Sequence, residues 1–95
     1  MFDLSKLGDM VKNAYQMQEK LSKELAGKTV EASSGAGMVK VVMNGQFHLC
    51  SLQIEPAVLS MNDVSFLQDL IQSAINDANK QVKELVASQA KSMMA

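Results

Sequence analysis

Apolar residues recur at three- and four-residue steps over the first quarter of the chain, the spacing of one face of a helix. The residues on this face are Leu4, Leu7, Val11, Ala14, Leu21 and Leu25. They also fit a heptad repeat, the spacing of a helix that packs along another helix. Gln18 is a polar residue on this packing face, and such a residue typically sets the register or the choice of partner. The pattern predicts a helix over about residues 3–26, ended by Gly27, because glycine tolerates the left-handed conformation found at many helix ends.

A second stripe of helical period occupies the C-terminal part of the chain. Its members are Val64, Leu67, Leu70, Ile71, Ala74, Ile75, Ala78, Val82 and Leu85. Ser60 or Asn62 can serve as the N-cap, with Asp63 in the first turn, so we predict a helix over about residues 62–91. Each predicted helix would be about 35 Å or longer and should protrude beyond a small sheet. Methionines on the two stripes are expected to lie in the core.

Between the helices, alternating and valine-rich segments predict three strands. We expect them over about residues 28–33, 38–43 and 46–54. A glycine-containing turn joins the first two strands, and Asn44-Gly45, a pair suited to positive φ in a two-residue hairpin turn, joins the last two. Pro56 ends the third strand, because proline has no amide hydrogen to donate to a ladder.

A two-residue turn would pair Val41 with His48 and Val42 with Phe47, which makes both faces of the sheet partly apolar. The expected fold class is α+β: a helix, a three-stranded antiparallel sheet and a helix, in one domain spanning residues 1–95. A chain this short buries a modest fraction of its surface alone. We therefore predict a homodimer in which a second copy covers apolar surface of the sheet and helices.

Composition excludes several classes of protein. Hydrophobic residues make up 47% of the chain, but no apolar run approaches the roughly 20 residues of a membrane span. The first ten residues, MFDLSKLGDM, lack the basic start and apolar stretch of a secretion signal. We expect a cytoplasmic protein without a membrane partner.

The chain offers few residues for catalysis, with a single histidine, a single cysteine and no arginine. His48 and Cys50 share a face of the predicted third strand, but two ligands per chain could reach four only across a dimer, and we expect Cys50 to be a small buried apolar group. The glycines before Met38 precede a strand, whereas a phosphate-binding loop leads into a helix. We therefore expect no enzyme activity, no cofactor, no metal and no small-molecule substrate.

Lysines lie off both apolar stripes, although the formal net charge is −1. Seven should reach water: Lys6, Lys12, Lys20 and Lys23 on the first helix, and Lys80, Lys83 and Lys91 on the second. They are either a solvated face paired with nearby acids or contacts to the phosphates of duplex DNA. The absence of arginine argues against base readout, because the arginine fork makes the commonest specific contact to guanine.

Short motifs in a fixed order extend over nearly the whole chain. They are YQMQEKL at 15–21, GMVKV at 37–41 with Asn44-Gly45 after it, IEP at 54–56, and LQDLI at 67–71 with AINDA at 74–78. In this order they resemble the YbaB/EbfC family of bacterial nucleoid-associated proteins. The resemblance implies an intertwined homodimer whose protruding helices resemble tweezers around DNA, located in the nucleoid.

The leading prediction is a homodimeric nucleoid-associated protein that binds the backbone of double-stranded DNA through the seven lysines. An influence on nucleoid organisation and gene expression is the further expectation from the resemblance. The alternative is a protein-interaction module or scaffold whose long helices bind a partner protein, which the near-neutral charge favours.

Overall fold

The computed structural model describes residues 4–94, with side chains described for residues 5–92, and contains a three-stranded sheet and three helices within that range. The elements in chain order are α1 (Leu4–Ala26), β1 (Thr29–Ser34), β2 (Val39–Asn44), β3 (Leu49–Ile54), α2 (Pro56–Ser60) and α3 (Val64–Met94). The predicted order of helix, antiparallel sheet and helix is confirmed, and the short α2 is an addition. The predicted start of the first helix at residue 3 lies outside the described residues.

The core lies between α3 and one face of β1 and β2. Its central side chains are at most 4% exposed: Ala32, Val39 and Val41 from the sheet, and Ala74, Ala78 and Val82 from α3. Alanines on α3 let the helix approach the sheet closely, and valines on β2 fill the contact with stiff branched side chains. Val58 of α2, which is 1% exposed, also belongs to this core.

Helix α1 projects from this body instead of packing on it. Every side chain from residue 5 to residue 20 is exposed, and Leu25 is the first buried position on the helix. Met10 and Met17 are 67% and 55% exposed, so the expectation that stripe methionines are core residues is wrong for α1 within one chain. The chain is correspondingly elongated, with principal extents of 72 × 20 × 19 Å.

The hairpin between β2 and β3 has a longer turn than predicted. The N–H of Asn44 donates to the carbonyl of His48 at 3.0 Å, and the N–H of Phe47 donates to the carbonyl of Asn44 at 3.0 Å. Phe47 has φ of 64°, which is the pattern of a three-residue loop that ends in a left-handed residue. The side-chain oxygen of Asn44 stabilises this loop by accepting hydrogen bonds from the N–H groups of Gln46 and His48, at 2.9 and 3.1 Å.

The longer turn and a bulge opposite Val42 and Met43 change the register. Val41 pairs with Leu52 and Val42 with Ser51, so the predicted pairs with His48 and Phe47 are wrong.

Directly paired residues share a face, so the apolar side chains of β3 lie on the same face as the core. The opposite face carries the pair Lys40 and Gln53 and the pair Val42 and Ser51, and is largely polar. The expectation of two partly apolar faces is therefore wrong. Because α3 packs mainly on β1 and β2, Leu52 on the edge strand β3 remains 43% exposed.

The turn between β1 and β2 takes the left-handed conformation that was expected at the other hairpin. Gly35 and Ala36 have φ of 58° and 57°, and the N–H of Gly37 donates to the carbonyl of Ser34 at 3.2 Å. A Cβ on Gly35 would also lie 2.7 Å from a methyl carbon of Leu70 on α3, so this turn packs closely on the helix.

The helices begin and end within a few residues of the predicted positions, but the residues and conformations at their ends differ from those predicted. Helix α1 ends before Gly27, yet this glycine does not have a positive φ. Asp63, rather than Ser60 or Asn62, caps α3, because its carboxylate accepts the N–H of Phe66 at 3.0 Å.

Candidate nucleic-acid interface

All seven lysines predicted to contact DNA are exposed, as the helical periodicity requires. Lys6, Lys12, Lys20 and Lys23 lie along α1, and Lys80, Lys83 and Lys91 lie on the C-terminal half of α3. Lys23 is in the last turn of α1 and Lys91 in the last turn of α3. The first set extends over about 25 Å and the second over about 16 Å at about 1.5 Å per residue.

The two sets approach each other where α1 enters the body. Gln89 of α3 donates its side-chain amide to the carboxylate of Glu24 at 2.9 Å. Since Lys23 precedes Glu24 in sequence and Lys91 follows Gln89 by two residues, both lie at this junction. Lys6 lies at the distant end of α1.

Lys28 belongs to the same region and was not among the predicted contacts. It lies in the turn between α1 and β1, where its ammonium group donates to the side-chain oxygen of Gln89 at 2.5 Å. The sequence places this lysine at the start of a strand, and only its position directly after the helix-ending Gly27 could have suggested a role at the junction.

Acidic side chains are concentrated at the other end of α3. Asp63, which caps the helix, and Asp69, in its N-terminal part, are both exposed and precede the first lysine of the helix at Lys80. Three of the four charged side chains in the C-terminal half of α3 are therefore cationic, whereas those at its N-terminal end are anionic.

His48 and Cys50 do not form a chemical site. Both are exposed, and the thiol of Cys50 donates to the backbone carbonyl of His48 at 3.6 Å. The expectation that Cys50 is buried is wrong, because β3 is an edge strand that α3 covers little. Within the part of the chain that the structure describes, no group of three or more His, Cys, Asp or Glu side chains could hold a metal ion.

An open cleft of about 380 Å³ lies at the end of the sheet distant from α1. Its lining includes one lysine and one glutamate, Lys40 and Glu55, together with Gly37, Gln53, Ile54 and Pro56. Neither histidine nor cysteine is among these lining residues.

A large apolar surface remains uncovered in the single chain. We use "α1 seam" for the exposed side chains Leu7, Met10, Val11, Tyr15 and Met17, which are between 43% and 70% exposed. A second exposed group comprises Phe47, Leu49 and Leu52 beside β3. A large amount of exposed apolar surface is typical of an interaction site.

None of the described helices is both long enough and apolar enough to cross a membrane.

Comparison with known proteins identifies the family. Residues 2–95 match the YbaB/EbfC DNA-binding family. A nucleoid-associated protein of a Thermoanaerobacter species is 46% identical over 86 residues, which cover 87% of this chain and 78% of that protein. A nucleoid-associated protein of Koribacter versatilis is 40% identical over 88 residues, which cover 93% of this chain and 87% of that protein.

A solved structure shares the fold. The crystal structure of an uncharacterized protein from Helicobacter pylori is 30% identical in sequence and has a TM-score of 0.85, with both chains covered in full. The match across the chain and the identity to these relatives agree with the motifs in the sequence: the chain belongs to the YbaB/EbfC DNA-binding family.

Proposed function

We propose that this protein is a nucleoid-associated protein that binds the phosphate backbone of duplex DNA as a homodimer. The observation that carries the proposal is the position of the seven lysines, which are all exposed on two long helices that approach each other at one end of the body. Membership of a DNA-binding family and relatives named as nucleoid-associated proteins support it.

Lysine and the absence of arginine favour contacts to phosphate over contacts to bases. A lysine ammonium is a flexible point charge, whereas the planar fork of arginine is what reads guanine. Phosphate contacts position a protein on DNA without sequence information. We expect binding to differ little among unrelated sequences and to weaken steeply with salt, because counterions are released from the duplex.

The exposed α1 seam supports the homodimer. Most of the stability of a helix in a protein comes from the packing of its apolar face, and the apolar face of α1 has no partner surface within the described chain. The heptad spacing of Leu7, Val11 and Gln18 fits packing against another helix. A second copy presents the same seam, as a two-fold interface requires, and it doubles the number of lysines that face a duplex.

The test is a gel-shift titration with unrelated duplexes at several salt concentrations. Changing Lys20 and Lys23 to glutamate should weaken binding to every duplex alike and reduce the slope of log affinity against log salt by about one unit per contact removed. The control is Lys40→Glu, which makes the same lysine-to-glutamate change at one exposed position on the polar face of the sheet, and each single variant, Lys20→Glu and Lys23→Glu, is compared with it. An unchanged affinity in the double variant, or an equal loss in the control, contradicts the assignment.

The alternative function is a protein-interaction module, and one surface favours it. Leu59, Met61 and Val64 at the junction of α2 and α3 are 60%, 54% and 67% exposed, and Asp63 lies among them. This surface suits an apolar partner with basic residues better than DNA. No gel shift at tens of micromolar protein and near-physiological salt would favour this function over DNA binding.

A further inference from the structure

We propose that a hydrogen-bonded cluster at the C-terminal end of α1 fixes the direction of this helix relative to α3 and thereby positions its lysines. The root cluster consists of Ser22, Glu24, Lys28, Gln46 and Gln89, with the backbone of Gly45 beside it. The part of the proposal that concerns DNA rests on the proposed function, whereas the direction of α1 can be measured without DNA.

The direction of α1 depends on few contacts. All side chains from residue 5 to residue 20 are exposed, and Leu25 is the buried side chain that anchors the helix. Leu21 and Glu24 are half-buried. Within one chain, the last two turns of the helix therefore determine where the remaining turns point.

Gly45 holds the end of α1 by its backbone. Its N–H lies 2.9 Å from the carbonyl of Leu25 in the last turn of α1 and 3.0 Å from the carbonyl of Lys28 just beyond the helix. A Cβ at this position would lie 2.6 Å from the carbonyl oxygen of Leu25 and 2.8 Å from its Cβ. Any larger residue must therefore push the helix end away.

Gln46 adds a side-chain contact from the same loop. Its amide nitrogen donates to the carbonyl of Ser22 at 2.9 Å and to the hydroxyl of Ser22 at 2.7 Å. Asn44 keeps the loop in shape by accepting the backbone N–H of Gln46. The hairpin thus contacts two successive turns of α1.

Gln89 contacts the junction from α3. Its side-chain nitrogen donates to Glu24 on α1 at 2.9 Å, and its oxygen accepts from Lys28 beyond the end of α1. One half-buried side chain therefore joins α3 to both sides of the turn that leads out of α1. Contacts from the hairpin and from α3 together restrain both the tilt and the rotation of the helix.

A small rotation at the root cluster is amplified along α1. Lys6 lies about 25 Å from Lys23 at about 1.5 Å per residue, so a rotation of about 10° moves Lys6 by about 4 Å. Successive phosphates on one strand are about 3.4 Å apart along the duplex axis. Such a rotation therefore changes which phosphate the outer lysines can reach.

The experiment measures the direction of α1 by pulsed electron spin resonance. Spin labels are attached at Asp9→Cys on α1 and Ser73→Cys on α3, both exposed positions, in a Cys50→Ser background. Labelled chains are diluted with unlabelled protein so that each measured pair lies within one chain. Gln46→Ala combined with Gln89→Ala should broaden the distance distribution, whereas Gly45→Ala should shift its mean. An unchanged distribution in the double variant overturns the proposal.

Matched controls distinguish the effect of losing the root cluster from the effect of losing any two glutamines. Gln53→Ala and Gln72→Ala remove two exposed glutamines outside the cluster and should leave the distribution unchanged. Circular dichroism should show that the double variant keeps its helical content. An equal broadening in the controls overturns the proposal.

A DNA titration then tests the positioning role. The double variant should bind duplex DNA about threefold to tenfold more weakly with an unchanged salt slope, because the lysines remain but are less well oriented. A broadened distribution without loss of affinity overturns the positioning role. If the unaltered protein binds no DNA, the proposed function fails, and the distance measurement alone decides whether the cluster directs α1.

Discussion

Ala36 occupies a left-handed conformation in which an L side chain is strained. Its φ of 57° follows the φ of 58° at Gly35, so the turn between β1 and β2 has positive φ at both central residues. A Cβ costs about 1–2 kcal/mol in this region, and glycine avoids that cost. The turn therefore contains a residue that is not the most stable choice for its backbone.

We predict that Ala36→Gly stabilises the protein by about 0.5–1 kcal/mol, because relief of the left-handed strain outweighs the larger chain entropy of glycine. Urea unfolding followed by circular dichroism measures the change. The control is Ala87→Gly on the exposed side of α3, which should destabilise by about 0.5–1 kcal/mol, as glycine does in a helix. A loss of stability in Ala36→Gly would contradict the assigned turn geometry.

Two residues of the second hairpin, Asn44 and Gly45, show which structural details could not be predicted from the sequence. The pair Asn44-Gly45 has the residues of a two-residue turn, but the side chain of Asn44 accepts two backbone N–H groups and stabilises a longer loop. Gly45 is needed for its close approach to Leu25, a contact that local sequence does not reveal. The longer turn, its later position in the chain and the bulge together changed every pair across β2 and β3: Val41 pairs with Leu52 instead of His48.

Periodicity was sufficient to predict the main elements. The stripes gave α1 and α3, and alternation gave three strands of which the first two differ from the prediction by one residue at each end. β3 begins at Leu49 rather than at residue 46, because the longer turn uses residues up to Phe47. Helix α2 was missed because Pro56 ends a strand and also starts this short helix, and its ring is compatible with both positions.

The apolar stripe on α1 forms an exposed surface in the single chain and does not pack into its core. Leu7, Val11 and Tyr15 are exposed in the single chain although their spacing is that of a buried helix face. Sequence alone does not distinguish a stripe that packs within a chain from a seam that packs between chains. In the proposed dimer the α1 seam is buried by the second copy.

We predict that Val11→Glu disrupts the proposed dimer, because it places an unpaired charge on the α1 seam. The dissociation constant should rise by about a hundredfold, which corresponds to about 3 kcal/mol. Sedimentation velocity over a range of concentrations measures it. Asn13→Glu adds the same charge beside the seam on an exposed side of α1 and should remain dimeric. Equal behaviour of the two variants would show that the α1 seam is not the contact.

For the whole molecule, the exposure of the lysines could be predicted and their arrangement could not. Helical period alone puts all seven in water. At their junction Gln89 contacts Glu24 across 65 residues of sequence, and neither residue carries a distinctive local signal. The role of Lys28 was missed for the same reason.

The elongated shape gives a prediction for the free chain. The Cα radius of gyration is 19.6 Å, whereas a compact chain of this length has about 12 Å. Small-angle scattering of monomeric Val11→Glu should therefore give a radius near 20 Å if α1 remains extended. A value near that of a compact chain would mean that α1 folds back onto the body when its partner is absent.

The lack of side-chain contacts along α1 has a consequence for amide hydrogen exchange. In a lone chain, helical N–H groups before residue 20 are protected only by the local stability of the helix, so they exchange with deuterium quickly. The N–H groups of β2 and of the centre of α3 become accessible only when the sheet and α3 unfold together, so they exchange slowly. Deuterium uptake in peptides of α1, compared with uptake in peptides of α3, therefore reports the fraction of chains whose α1 is covered by a second copy.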